Sequence, residues 1–242
     1  MKTQIGEGDL RFGKTMKIGA IVQARMSSQR FPNKVLYKVA GKPMLQYLLE
    51  RLEHCNCLDA IVVATSVEDN DTPIAEYCML HSIPCYRGSL ANVAGRFNKV
   101  LDMYQFDGFV RVTGDSPLLD QRLIEQGVGI FLNGDFDLVT NVLPPTYPKG
   151  QSVEVLQTST YQKTYERMQE AEDLEHVTKF YYKHSEDFHI QNFALVENLN
   201  DIQLCVDTWQ DIDNFATIVS KMSRPHWEYR LEDILQIYRS LA

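Results

Sequence analysis

Arg25, Ser27, Ser28, Arg30 and Lys34 fall within one stretch, Gln23 to Lys34, that contains no acidic residue. Guanidinium and ammonium groups interleaved with hydroxyls can surround several phosphate oxygens, so this grouping predicts a site for a polyphosphate. A basic window could equally be a plain solvated loop. The chain as a whole carries a formal net charge of -8, however, and a purely cationic segment on that background favours a local anion site. A carboxylate complements it. Asp115 follows the apolar run Phe109 to Thr113 and Gly114, at a strand end where a hard oxygen ligand could meet phosphate-bound Mg2+. Helix capping is the alternative for Asp115, and for Asp207 before the helix at Trp209.

These side chains need strands to aim them. Ile18, Ala20, Ile21 and Val22 suit a buried first strand whose carboxyl end releases the basic loop, the end at which open α/β sheets bind ligands. Met44, Leu45, Leu48, Leu49 and Leu52 then recur at helical spacing behind Pro43. Ala60 to Thr65 reads as a buried strand, Asp71-Thr72-Pro73 opens a helix, and Pro84 to Tyr86 reads as a third strand. This βαβαβ order predicts a parallel sheet with right-handed crossovers. Gly88 to Phe97 leads into a helix reaching about Met103, where Ser89 could cap the helix and Arg96 lie on its solvent face. The next strand ends at Gly114, and Ser116-Pro117 turns the chain into a helix bearing Leu123, Ile124 and Val128.

Asp137 to Thr140 is a further expected strand, followed by the proline-rich break Leu143 to Gly150. Ser152 to Leu156 alternates like a half-buried strand, and helices are expected over Ser159 to Glu170 and Asp173 to His184. Gln203 to Asp207 reads as a strand, with Asp207 or Thr208 capping a helix whose apolar face is Trp209, Ile212, Phe215, Ile218 and Val219.

Several motifs resemble those of the CMP-sugar synthetases, namely the 3-deoxy-manno-octulosonate (Kdo) cytidylyltransferases and above all the SpsF-type proteins of surface polysaccharide synthesis. The first is A-R-x-x-S-x-R-x-P-x-K-x-L from Ala24 to Leu36, which is neither a Walker A loop nor a Rossmann fingerprint. Others are R-G-S-x-x-N-V-x-x-R-F (Arg87 to Phe97), R-V-T-G-D-x-P-L-L-D (Arg111 to Asp120), Y-P-x-G-x-x-V-E-V (Tyr147 to Val155), E-H-V-T (Glu175 to Thr178) and V-D-T-x-x-D-I (Val206 to Ile212). The chain departs at Ser152, where SpsF-type proteins usually carry Asp, and at Leu174, where they usually carry Arg.

The resemblance implies an α/β fold with a mostly parallel central sheet, nucleotide-diphospho-sugar transferase-like (GT-A or Rossmann-like), with a smaller mixed region facing the sugar. Residues 1–15 are expected to be a flexible leader and 16–242 a single domain. Within it, about 16–142 forms the nucleotide half, about 143–200 faces the sugar and a dimer partner, and about 201–242 carries the metal-binding Asp and closing helices. Nucleotide contacts are implied for Ala24, Arg25, Ser28, Arg30, Lys34, Ser89, Asn92 and Arg96, and sugar contacts for Lys149, Glu154 and His176. Arg25, Lys34 and Asp115 would be catalytic, with Asp115 and Asp207 as Mg2+ ligands. The implied reaction transfers CMP from CTP to an acidic 3-deoxy-ulosonic sugar, releasing pyrophosphate, in a cytoplasmic homodimer.

Two other classes compete. A GT-A-type glycosyltransferase would use a D-x-D metal motif, and Asp211-Ile212-Asp213 has that spelling but falls inside the expected helix. A catalytically inactive nucleotide-binding subunit would have lost charges that are retained here. The acidic balance and the scattered aromatic residues speak against a nucleic-acid partner. No apolar run approaches the roughly 18 residues of a membrane span, and the N-terminus lacks a signal-peptide core. The five cysteines are scattered without paired zinc spacing and read as reduced thiols.

Overall fold

The computed structural model describes residues 16–27 and 31–241; the expected leader 1–15 and the candidates Ser28 and Arg30 lie outside them. Strand β1 (Ile18–Gln23) is buried along nearly its whole length because helices cover both faces of the sheet. The short hairpin β2 (Lys38–Val39) and β3 (Lys42–Pro43) leads into α1 (Met44–Glu53). Next come β4 (Ala60–Ser66), α2 (Thr72–Leu80), β5 (Cys85–Gly88), α3 (Val93–Tyr104), β6 (Gly108–Thr113), α4 (Gln121–Leu132) and β7 (Leu138–Thr140). The rest comprises β8 (Glu154–Gln157), α5 (Thr158–Tyr165), α6 (Ala171–His176), α7 (Lys179–Lys183), β9 (Ile190–Asn192), α8 (Trp209–Ser220) and α9 (Leu231–Arg239).

The central sheet runs β5-β4-β1-β6-β8-β7-β9. Only β8 opposes its neighbours, so the fold is α/β with a mostly parallel sheet. Alternate residues of β1 serve opposite cores. Ile18, Ala20 and Val22 join a cluster with side chains of α1, α4, α8 and α9, while Ile21 joins Phe97, Phe109 and Tyr161 on the other face. From β1 the chain winds outward through β4 to β5, then returns to pair β6 on β1's other side. This reversal opens a crevice between the loops that leave β1 and β6.

Three local expectations are corrected. Strand β8 is not half-buried. It lies between β6 and β7, and even Glu154 is buried because its carboxylate accepts hydrogen bonds from Arg111 and Tyr182. The helix expected over Asp173 to His184 breaks at Val177, whose φ of 52° separates α6 from α7. That conformation costs a β-branched residue on the order of 1–3 kcal/mol, and its fully buried side chain helps hold it there. Gln203 to Asp207 forms no strand: beyond one bridge at Gln203, the segment is held by individual bonds to Lys149 and Asp115. No helix among the described residues is long and apolar enough to cross a membrane, and all five cysteines are free thiols.

Candidate active site

The crevice holds a cavity of about 760 Å3 lined by the β1 loop, the end of β6, Val93 and Arg96 of α3, Glu175 of α6 and Asp207 of the segment before α8. After β1 the chain is anchored where Met26 N donates to Asp71 Oδ1 at 2.6 Å, which leaves Ala24, Arg25 and Ser27 along the wall. Asn33 then adopts a left-handed conformation (φ 63°), one that Asn tolerates well, and starts the 3-10 turn Lys34–Leu36. That turn sends the Lys34 side chain back into the crevice, where Nζ donates to Asp115 Oδ2 (3.1 Å), Asp207 Oδ1 (3.0 Å) and the Val206 carbonyl (2.8 Å).

Asp115 reaches this point from the end of β6, and Asp207 arrives on the irregular segment. Leu204 N and Cys205 N both donate to the Lys149 carbonyl, and Val206 N donates to the Asp115 carbonyl at 2.8 Å. Gly150 makes that approach possible. Its φ is +92°, and a Cβ there would stand 2.5 Å from Cys205 N. Neither aspartate caps a helix. Asp120 caps α4, while Thr208 and Asp211 form a capping box at α8. The same box occupies Asp211 structurally and removes the observation that favoured a D-x-D motif.

Arg25 Nη1 lies 2.7 Å from Glu175 Oε1, a contact that joins the β1 loop to α6 across the cavity. Arg96 is buried rather than solvent-facing; its Nη1 donates to the carbonyls of Ser89 and Leu90, and the residue lines the same wall. Burial lowers its pKa from the usual guanidinium value, with Glu175 and Asp71 opposing the shift. Ser89 and Asn92 line neither cavity. Asn92 caps α3 through Gly95 N and donates to the Tyr165 hydroxyl at 2.9 Å, while Ser89 Oγ accepts from Asn92 N.

A second cavity of about 220 Å3 shares Thr113 and Asp115 with the first and is lined further by Asn141, Tyr147, Lys149, Ser152, Asn200 and Cys205. The Cys205 thiol is pushed up to about 12, first by burial and then by the Asp115 and Asp207 carboxylates, so it stays protonated near neutral pH. Of the three sugar candidates only Lys149 borders this space. Glu154 is buried against Arg111 and Tyr182, and His176 is exposed beside Glu175. Sequence reasoning missed Glu175 and Cys205 as lining residues. The E-H-V-T motif was the available signal for Glu175, but its placement depends on the Val177 reversal.

Asp115 and Asp207 present hard oxygens to one point on the cavity wall. Among the described residues no cluster of three or more His, Cys, Asp or Glu forms a complete metal cage. Two carboxylates with room for phosphates fit Mg2+, which ordinarily takes one or two protein carboxylates and fills its shell from substrate and water.

A sequence model for a family described as Cytidylyltransferase matches residues 19–232. An uncharacterized protein of Methanocaldococcus jannaschii is 34% identical over 226 residues, covering 92% of this chain and 89% of its own. The spore coat polysaccharide biosynthesis protein SpsF of Bacillus subtilis is 28% identical over 83% of this chain and 85% of its own. A 3-deoxy-manno-octulosonate cytidylyltransferase of Syntrophotalea carbinolica is 35% identical over 115 residues, 47% of this chain and 44% of its own. Among solved structures, a cytidylyltransferase from Leptospira borgpetersenii superposes with a TM-score of 0.88 at 25% identity, covering 93% of this chain and 95% of that one.

Proposed function

The chain belongs to the cytidylyltransferase family, and from that premise we propose that it transfers CMP from CTP to an acidic 3-deoxy-ulosonic sugar for a surface polysaccharide. The observation that carries this reading is the meeting of Lys34, Asp115 and Asp207 at the cavity where Arg25 and Arg96 also lie. Grouped around one crevice, these five side chains suit a nucleoside triphosphate and a divalent ion.

In the proposed reaction an acceptor hydroxyl oxygen bonds to the α-phosphorus of CTP as the bond to the β-phosphate oxygen breaks. Pyrophosphate takes the electron pair, and the hydroxyl proton passes to solvent. Such a transfer depends chiefly on positioning and charge neutralisation. Arg25 and Lys34 would hold the phosphates, and Ser28, Arg30 and Arg96 would assist. Arg25 must exchange Glu175 for phosphate to do so. Asp115 and Asp207 would hold Mg2+, which supplies Lewis-acid neutralisation of the developing phosphate charge.

The acceptor would enter the smaller cavity, where the Lys149 ammonium is suited to a sugar carboxylate and Asn141, Ser152 and Asn200 to hydroxyls. Asp115 lines both spaces, so a sugar there would sit beside the α-phosphate. We further propose 16–142 as the nucleotide half, 143–200 as the sugar-facing part, and a cytoplasmic homodimer as the working form. A pyrophosphate-release assay with each of the four NTPs, Mg2+ and a panel of 2-keto-3-deoxy sugar acids tests the whole reading. Release only with CTP and such an acid is expected. Glycosyl transfer from a nucleotide sugar, with release of the nucleotide and no pyrophosphate, would instead favour a glycosyltransferase.

A further inference from the structure

An ammonium has three protons, and the three on Lys34 are matched by three acceptors: Asp115 Oδ2, Asp207 Oδ1 and the Val206 carbonyl. Its side chain is only 9% exposed. A lysine bonded in this way has no proton left for a phosphate oxygen. It also stands where a divalent ion must come if both carboxylates are to ligate it, since metal and ammonium cannot share that point without strong repulsion.

We propose that Lys34 is an internal counter-cation that keeps Asp115 and Asp207 paired until metal and polyphosphate arrive together, and then passes from the carboxylates to the phosphate. The inference rests on the metal and triphosphate reading above. Metal entry and the lysine-phosphate contact require the same displacement, so each favours the other. A divalent ion arriving alone would evict a poorly solvated ammonium from both carboxylates and leave it without an anionic partner. A metal-polyphosphate complex offers a cation to the carboxylates and an anion to Lys34. The flexible four-carbon stem permits the move. Lys34 thereby makes the free site a poor binder of bare divalent ions and couples their entry to the substrate.

The test reads Mn2+ binding to the full chain without nucleotide, by the loss of the free-ion EPR signal. Wild-type protein should bind Mn2+ at least about tenfold more weakly than Lys34→Met, and Lys34→Arg, which keeps a cation, should stay as weak as wild type. Equal Mn2+ affinity in wild type and Lys34→Met overturns the proposal. If Lys34→Met does not fold, wild-type protein labelled with 15N-lysine answers alone. The Lys34 ammonium resonance should stay in place with Mg2+ and move when Mg2+ and inorganic tripolyphosphate are added together. Movement with Mg2+ alone, or none with both, contradicts the coupling. Neither readout involves a base, a sugar or turnover, so a failed cytidylyl assignment and a failed lysine exchange give different results.

Discussion

Asp115 and Asp207, one at the end of β6 and the other on an irregular segment far along the chain, hydrogen-bond the same Lys34 ammonium. The segment bearing Asp207 is stitched to Asp115 through Val206 N, so the two carboxylates are fixed relative to each other by backbone as well as by charge. Because other residues cap α4 and α8, neither carboxylate is needed to start a helix.

Asp115→Asn and Asp207→Asn should therefore remain folded and lose on the order of a hundredfold or more in pyrophosphate release at saturating Mg2+. The double variant should lose much less than the product of the two, since under the proposed metal role either change alone would misplace the ion. Near-normal turnover by Asp207→Asn would leave that residue a purely structural partner of Lys34.

Gly150→Ala should damage the site from outside it. A Cβ at 2.5 Å from Cys205 N must push away the segment that carries Asp207, and the φ of +92° adds strain of about 1–3 kcal/mol. We expect Tm to fall by roughly 2–4 °C for each kcal/mol lost in a chain of this size, with kcat reduced at temperatures where the variant is fully folded. An unchanged Tm and kcat would mean that the approach of Gly150 to Cys205 is not needed.

His226 should make the fold acid-sensitive. Its pKa is lowered from 6.5 to about 4, chiefly by burial; the hydrogen bond to Glu50 opposes that shift, while Arg51 and Lys42 act in the same direction as burial. The unfolded chain then takes up a proton near pH 6.5 that the folded chain refuses until about pH 4, so stability falls as pH drops through that window. Glu50, lowered chiefly by its hydrogen bonds to Lys42 and His226 against the opposing effect of burial, adds a loss on further acidification. Urea unfolding at pH 7.5 and pH 5 should show a smaller difference in His226→Gln than in wild type. Identical pH dependence in the two proteins would rule out His226 as the source.

The parts of the fold legible in the sequence are those with a short apolar run closed by a chemically distinct loop. Ile18 to Val22 and Phe109 to Gly114 had this form, and they are the strands that flank the crevice. The missed features depend on long-range pairing. Glu154 looked like the polar side of a half-exposed strand because its neutralising partner, Arg111, lies on another strand. Glu175 reaches the cavity through a strained turn at Val177, a residue whose type argues for extended structure. The segment before Asp207 resembles a strand by composition, yet its backbone bonds go to single carbonyls of Lys149 and Asp115. Periodicity cannot report such contacts.

The central claim, that the crevice between the β1 loop and Asp115 is a CTP site, is tested most directly by thermal unfolding in Mg2+ with each of the four NTPs. At a hundredfold excess over its dissociation constant, CTP should stabilise the protein by about 2.7 kcal/mol, with GTP and ATP far weaker at the same concentration and the CTP effect reduced in Asp115→Asn. Equal protection by all four nucleotides, or undiminished protection of Asp115→Asn, would contradict it.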